Sequence, residues 1–414
     1  MMDVEIITIG FEILSGHTVD TNAAFIGSKL TENGLDIKYV TSVGDNLEDI
    51  EMVIKQALNR SNIVITTGGL GPTDDDITKK GIVKVFKRNL IFHDDVLKEI
   101  KSRYARRNLE MPAITQNQAL LPQGGKFFTN KNGTAVGICI AEKGKIFISL
   151  PGVPHEMEQI LTDEVIPYLQ SLKVGGFTKI TTLHTIGVTE SKIAEMIKPN
   201  LKLPSGVRLA YLPSYSGVDL RIHSVSDSND DAEQKRNSVK KQLESACGKY
   251  IYGEDDDKLE TVVAQLLIDN DITISVAESC TGGQLGMLIT SVSGSSKYFL
   301  GGILSYDNDV KINMLGVDKE IIEKYGAVSE ECAKAMAENC RKKFDTGYAL
   351  SITGIAGPEG GSDDKPIGTT YLGLSSIHNT YARKFIFGKD RYTNRTRAAY
   401  SSLELLRREI LDIK

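Results

Sequence analysis

Short apolar runs alternate with amphipathic stretches along this 414-residue chain. Residues 4–9 form an apolar run that ends at Gly10, and the capping residues Asp20-Thr-Asn22 precede a helical pattern that stops near Asn33-Gly34. A second strand signal ends at Val43, a helix pattern follows Asn46, and residues 63–66 read as a third, buried strand. Each strand runs into a Gly/Asp-rich loop and then a helix. That order predicts an open parallel α/β sheet whose ligands sit at the C-terminal strand ends.

The texture changes over residues 171–252. Helix signals at 191–197 and 230–247 lie between strand-like runs at 208–212 and 218–222, which predicts a small α+β module. The acidic run Gly253-Glu-Asp-Asp-Asp-Lys258 reads as a solvated junction where few contacts cross, so a fragment starting near Gly253 is expected to fold alone. The last block, 253–414, again mixes strands (272–277, 299–306, 348–352, 369–375, 383–387) with helices and closes on a helix at about 394–411. The predicted domains are therefore 1–170, 171–252 and 253–414.

Composition narrows the function classes. With 41% hydrophobic and 25% charged residues the chain reads as globular and soluble, and no apolar stretch is long enough for a membrane helix. The start, Met-Met-Asp-Val-Glu, does not read as a signal peptide. Five scattered cysteines without a CxxC pair argue against disulfides and structural zinc, and fit a reducing cytoplasm. A formal charge of −5 gives no global pull on nucleic acid or membrane, so anionic ligands need local donors.

The most informative segment is Val276-Ala-Glu-Ser279-Cys280-Thr281-Gly282-Gly283, where a strand ends, hydroxyls cluster and two glycines open a helix pattern. A hydroxyl there would sit by the N–H groups of a helix start, which can stabilise an oxyanion; the plain alternative is an N-cap with a tight turn. Ser296 and the stretch Ser305-Tyr306…Lys311 flank a strand in the same block. Lys311 reads either as a surface lysine or as the base of a Ser–Lys amidase. The base role needs burial to bring its pKa from about 10.4 to about 7, roughly 4–5 kcal/mol of differential stabilisation. Ser351-Ile-Thr353-Gly354-Ile-Ala356-Gly357-Pro358 is Gly-rich after an apolar strand, and so reads as a backbone surface for a ligand or as a surface loop. Arg391 and Arg395, four apart, share a helix face that suits a phosphate.

Together, Ala277-Glu-Ser-Cys-Thr-Gly-Gly283, Tyr306…Lys311, Thr353-Gly-Ile-Ala-Gly-Pro358 with Lys365-Pro-Ile-Gly368, and Asp390-Arg391…Arg395 resemble the C-terminal domain of the CinA family over all of 255–414. The resemblance implies a deamidase that releases ammonia from nicotinamide mononucleotide and leaves nicotinic acid mononucleotide. It implies Ser279 as nucleophile and Lys311 as base, with Tyr306, Ser296 and Thr353 as polar pocket groups. Thr281, Gly282, Gly283, Gly354, Ala356, Gly357, Arg391 and Arg395 would line the substrate. No cofactor is expected for this reaction. Cys280 is a rival nucleophile.

In the first domain, Thr66-Thr67-Gly68-Gly69-Leu-Gly71-Pro-Thr73 is followed by Asp74-Asp75-Asp76. The glycines let N–H groups approach an anion, and the carboxylates suit a hard divalent cation; an N-cap cluster explains one Asp but not three. Asp45 and Glu12 stand at the same predicted sheet edge. Ile9-Gly10-x-Glu12, Asn22, Val43-Gly-Asp45, Gly68–Thr73 with Asp75-Asp76-x-Thr78, Asn130…Gly133-Thr-Ala135 and Leu150-Pro-Gly-Val-Pro154 resemble the family's molybdopterin-biosynthesis-like domain; Val136 stands where a proline is usual. This resemblance implies an ADP-ribose pyrophosphatase giving AMP and ribose 5-phosphate. Thr67, Gly68, Gly69, Gly71, Thr73, Asn22 and Asn130 would hold the nucleotide. Asp45, Asp75, Asp76 and Glu12 would hold a divalent Mg, Mn or Co ion. Gly187-Val-Thr-Glu190-Ser191 resembles the KH-like connector.

The implied fold class is thus α/β: a molybdopterin-biosynthesis-like parallel-sheet domain, a small α+β KH-like connector and a C-terminal α/β deamidase domain. The expected ligands are small molecules, nicotinamide mononucleotide and ADP-ribose. Residues 171–250 carry 12 basic and 8 acidic side chains and no GxxG loop, which disfavours nucleic acid, and no membrane partner is expected. The family resemblance adds an expected homodimer. A molybdopterin-binding protein or a competence adaptor without N-terminal catalysis is the alternative reading.

Overall fold

The computed structural model describes residues 2–73, 76–214 and 217–413. Its backbone divides into two compact units, residues 1–179 with 224–234, and residues 180–223 with 235–414.

In the first unit β1 (Asp3–Ile9), β2 (Asp36–Val43) and β3 (Ile63–Thr67) are parallel; β1 and β3 are buried almost throughout, as strands covered on both faces must be, while β2 lies at the edge with Tyr39 and Val40 exposed. Asp20 caps the helix Thr21–Glu32 through Ala23 N, and Asn46 caps the helix Leu47–Arg60 through Glu48 and Asp49 N, as their sequence positions predict. A two-stranded flap of β4 (Leu90–Phe92) and β5 (Leu120–Pro122) follows. The sheet is finished by β6 (Lys126–Phe128), β7 (Gly137–Glu142) and β8 (Lys145–Leu150), in the order β2-β1-β3-β8-β7-β6. The predicted parallel sheet therefore covers four strands, while β7 and β6 run antiparallel. The cause is local: Lys143-Gly144, both at positive φ, closes a two-residue hairpin between β7 and β8, which parallel strands cannot use. Apolar cores lie on each face of the sheet.

The middle module is a four-stranded sheet, β9 (Phe177–Ile186), β10 (Val207–Pro213), β11 (Gly217–Ser226) and β12 (Ile251–Glu254), in the order β10-β11-β9-β12. Helices Glu190–Ile197 and Asn229–Cys247 accompany it. The last domain holds β13 (Ile274–Glu278), β14 (Phe299–Leu304), β15 (Tyr348–Gly354), β16 (Thr369–Ser376) and β17 (Thr380–Ile386), in the order β14-β13-β15-β16-β17. Only β14, β13 and β15 are parallel. The closing helix Arg391–Ile410 packs Ala398, Ala399, Leu403 and Leu406 into the core.

The acidic junction differs from its sequence reading. Gly253 and Glu254 belong to β12 and pair with His184 and Leu183 on β9, so the expected boundary at 252/253 cuts a strand. Asp255 N–H donates to Thr182 O, and Thr182 N–H donates back to the Asp255 carboxylate. Only 255–258 are exposed. In the same unit Ile186 is buried in the C-terminal core, and Arg407 donates to Lys249 O at 3.2 Å.

All five cysteines are buried free thiols. Among the described residues no helix is long and apolar enough to cross a membrane.

Candidate active site

Ser279 follows the last residue of β13, and its N–H donates to Ile352 O on the neighbouring β15. Gly282 and Gly283 then turn the chain with φ of 57° and 95°, a region L side chains resist, and the helix Gln284–Thr290 begins. Ser279 is 8% exposed.

Lys311, on the helix Asn308–Asn313, is 2% exposed. Its Nζ lies 3.2 Å from Ser279 Oγ, 2.8 Å from Ser305 O and 3.1 Å from Tyr306 O. Burial holds its pKa below the usual lysine value; the nearby Cys332, Asp307 and Cys280 act weakly the other way. No carboxylate pairs with it among the described residues. A neutral amine in this position can give both N–H groups to the two carbonyls and turn its lone pair to Ser279 Oγ–H. Burial pushes the Cys280 thiol up to about 11, so it stays protonated near neutral pH.

The helix start is not free for an oxyanion, contrary to expectation. Glu278, fully buried, fills it: one carboxylate oxygen accepts from Gly283 and Leu285 N–H at 3.0 and 3.1 Å, the other from Gly286 N–H at 2.8 Å. Glu278 O also accepts from Ser305 N–H, which ties the Ser279 loop to the segment that holds Lys311. The N–H groups left without a described acceptor in this loop are those of Cys280 and Thr281. An acidic residue at a strand end, five residues before the first helical N–H groups, was the overlooked signal.

The other expected residues divide sharply. Tyr306, 62% exposed, accepts through its OH from Arg391 Nη2 at 3.1 Å, and Arg391 Nη1 donates to Gly357 O at 2.8 Å. Arg395 places Nε and Nη2 on Thr281 O at 3.2 and 2.6 Å, so it braces the loop of Gly282 and Gly283. Asn394, read from the sequence only as the start of the closing helix, donates to Ala356 O and Gly388 O and fixes the strand exit from Gly354 onward. Thr353 is buried with its hydroxyl donating to Ala327 O at 2.7 Å, which makes it a structural group rather than a pocket wall. Ser296 is not at the site. Ile274 pairs with Phe299 and Glu278 with Leu304, so Ser296 lies at the N-terminal end of the strand pair and Ser279 at the C-terminal end. About five strand residues, roughly 15–20 Å, separate them.

In the first domain a cavity of about 490 Å³ opens at the C-terminal edge of the sheet. Of the residues that the resemblance implies, Glu12, Asp45, Gly68, Gly69, Gly71 and Asp76 line it; Gly10, Gln118 and Glu156, not named as site residues from the sequence, do so too. Gly68 is required there: a Cβ would stand 2.1 Å from Ile9 O, and φ is +112°. Asp76 is committed to its loop, accepting from Gly71 N–H at 2.7 Å, Thr73 N–H at 2.8 Å and Thr73 Oγ–H at 2.5 Å. Asp45 accepts from Phe11 N–H at 2.9 Å through one oxygen. Asp74 and Asp75 lie outside the described residues. Thr67 and Asn22 are buried beneath the cavity, with Asn22 donating to Thr67 Oγ and Gly152 O. Asn130 organises its own loop, accepting from Asn132 and Gly133 N–H and donating to Glu156 and Ala135 O. Among the described residues no three His, Cys, Asp or Glu gather to cage a metal. Glu12 and the second oxygen of Asp45 remain as donors, which fits a cation held by one or two carboxylates and a bound phosphate.

Fold and sites define a three-part α/β protein: a parallel-sheet domain with a glycine-lined cavity, a four-stranded α+β module, and a domain with a buried serine–lysine pair. Residues 5–171 match the family profile of a probable molybdopterin binding domain, 181–253 the damage-inducible protein CinA KH domain, and 256–410 the CinA C-terminal domain. The chain belongs to the CinA family. It is 39% identical to a putative competence-damage inducible protein of Caldicellulosiruptor bescii, covering 99% of this chain and 100% of that one. A CinA-like protein of Dictyoglomus turgidum is 40% identical with full coverage of both. A crystal structure of the protein CinA from Thermoplasma acidophilum, described as of unknown function, shares 39% identity over 40% of this chain and 98% of its own, with a TM-score of 0.38.

Proposed function

We propose that the C-terminal domain is a serine–lysine amidase that converts nicotinamide mononucleotide to nicotinic acid mononucleotide and ammonia. The observation that supports it most is Lys311 Nζ, buried without a carboxylate and aimed at Ser279 Oγ at 3.2 Å. Neutral Lys311 takes the Ser279 proton as Oγ bonds to the carboxamide carbon. The Cys280 and Thr281 N–H groups are the donors left for the developing oxyanion. Lys311 returns the proton to the departing nitrogen, the C–N bond breaks and ammonia leaves an acyl ester on Ser279. Water, deprotonated by Lys311, then adds to the ester; the C–O bond breaks and Ser279 regains its proton. Arg391 supplies the phosphate contact. The deciding experiment is ammonia release from nicotinamide mononucleotide by the intact chain; no release above the uncatalysed rate ends this reading.

The N-terminal cavity supports a second reading, a nucleotide site acting on ADP-ribose. The glycine loop offers close backbone approach, and Glu12 with Asp45 would hold a divalent cation beside the pyrophosphate. When bound, the cation neutralises charge on the phosphates. The chain's own part is to shape the loop through Asp76 and to orient the ligand. Turnover of ADP-ribose with Mg²⁺, Mn²⁺ or Co²⁺, lost in EDTA, tests it. A homodimer and a cytoplasmic location are proposed alongside; light scattering on the purified chain checks the first.

A further inference from the structure

Among the described residues that line the N-terminal cavity, one buried side-chain polar atom has no partner. Gln118 closes the 3-10 turn Ala113–Ala119, lines the cavity and is only 2% exposed, and its side-chain Nε2 finds no acceptor. A buried amide in that state destabilises the fold, because hydration is lost and nothing replaces it. Such groups persist where a ligand completes them.

The surroundings say which kind of ligand atom fits. The neighbouring Asn117 O accepts from Lys79 Nζ at 2.6 Å. Lys79 is buried, and desolvation draws its pKa to about 8, with Asp76 acting in the opposite direction; at neutral pH most of its charge remains. Lys79 does not itself line the cavity; among the described residues the ionisable side chains that do are carboxylates, Glu12, Asp45, Asp76 and Glu156. The Gln118 corner, with a spare amide donor and the Lys79 ammonium held on the carbonyl of the preceding residue, is therefore where an anionic oxygen is least repelled.

We propose that Gln118 is a ligand-reading residue whose Nε2 donates to a phosphate oxygen of a nucleotide bound in this cavity. The proposal rests on the nucleotide reading of the cavity given above. It makes an unusual joint demand: removing the carboxamide should weaken phosphate binding and strengthen the empty protein at once. A structural glutamine would lower stability when removed.

The experiment compares the full-length wild type with Gln118→Met, which keeps the length and approximate volume of the side chain. Calorimetric titration with AMP and with adenosine, both with Mg²⁺ present, is paired with thermal unfolding without ligand. AMP should bind the variant about tenfold less tightly than the wild type, the loss of one hydrogen bond to a charged group. Adenosine should bind both proteins alike. The ligand-free Tm of the variant should rise by about 2–3 °C. Unchanged AMP affinity, equal losses for AMP and adenosine, or a lower Tm or failure to fold would each overturn the role of Gln118. Absence of AMP binding by the wild type would remove the nucleotide reading itself, and this proposal with it.

Discussion

Lys311 shows how much chemistry one buried nitrogen can encode. Two carbonyls and one hydroxyl surround it, and its lowered pKa comes chiefly from burial. Deamidation should therefore need the neutral amine: kcat/KM is expected to rise with pH along a limb that lies below 10.5, the ordinary lysine value, and to flatten once Lys311 is deprotonated. Lys311→Met should reduce kcat by at least about a thousandfold with little change in KM and remove that limb; a raised KM with intact kcat would make Lys311 a binding residue. Ser279→Ala should lose kcat as completely, whereas thiol alkylation should leave activity intact, since Cys280 is protonated and nearly inaccessible. An active Ser279→Ala inactivated by alkylation would transfer the role to Cys280. Ser279 and Lys311 were singled out through the family resemblance, because a hydroxyl ahead of a diglycine equally suits an N-cap and a lysine most often lies at the surface. The environment of Lys311 was not, since burial depends on contacts from distant segments. Ser296 was misplaced because closeness in sequence hides strand direction: a residue before a parallel strand and one after its neighbour lie at opposite sheet edges.

Among the elements, the closing helix and β12 carry consequences of their own. Arg391 and Arg395 share a helix face, yet one reaches Tyr306 OH and Gly357 O while the other braces Thr281 O. Arg391→Ala should raise KM for the mononucleotide several-fold more than for its dephosphorylated riboside. Arg395→Ala should lower kcat equally on both substrates, because the nucleophile loop loses its brace; steady-state kinetics on the two substrates separate the cases. β12 is held by His184, whose ring nitrogens lie 2.8 Å from Asp219 Oδ1 and 2.8 Å from Asp255 O. Two acceptors require both N–H groups, hence the imidazolium. Burial pulls the His184 pKa down, but the Asp255 carbonyl and Asp219 carboxylate outweigh it and leave it raised. With a raised folded pKa, the stabilisation is complete below about 6.5 and fades as pH rises through the folded value. The Tm gap between wild type and His184→Ala should therefore shrink on going from pH 6 to pH 9; a constant gap would mean neutral packing alone. The closing helix was readable from its period, though it starts three residues earlier at Arg391 under an Asp390 cap, whereas the strand that takes in Gly253 and Glu254 was not, because a short strand running into an acidic turn has the composition of a linker.

For the whole molecule, independence of the last domain is a matter of degree. Ser279, Lys311 and their partners all lie after residue 256, so a fragment of residues 256–414 should deamidate with near-native kcat. It loses the buried Ile186 and the Tyr252 contact, and Arg407 loses its Lys249 carbonyl. Burial of one isoleucine alone contributes about 1.5–3 kcal/mol, so the fragment should unfold several degrees below the intact second unit in a calorimetric scan. A folded but inactive fragment would place part of the site on another segment or subunit.

The arrangement of Ser279 and Lys311 also bears on inhibitor chemistry. A boronic acid carried on a pyridine ring accepts the serine oxygen and becomes a tetrahedral anion, mimicking the addition step without a leaving group. Here the nitrogen 3.2 Å from that oxygen would meet the adduct as an ammonium, held in place by the Ser305 and Tyr306 carbonyls. The proton taken from serine stays beside the negative boron, so the adduct forms as a compact ion pair in a dry setting. Boronates that carry the ribose phosphate would then gain selectivity over histidine-dependent serine hydrolases, whose imidazole is placed for a different approach.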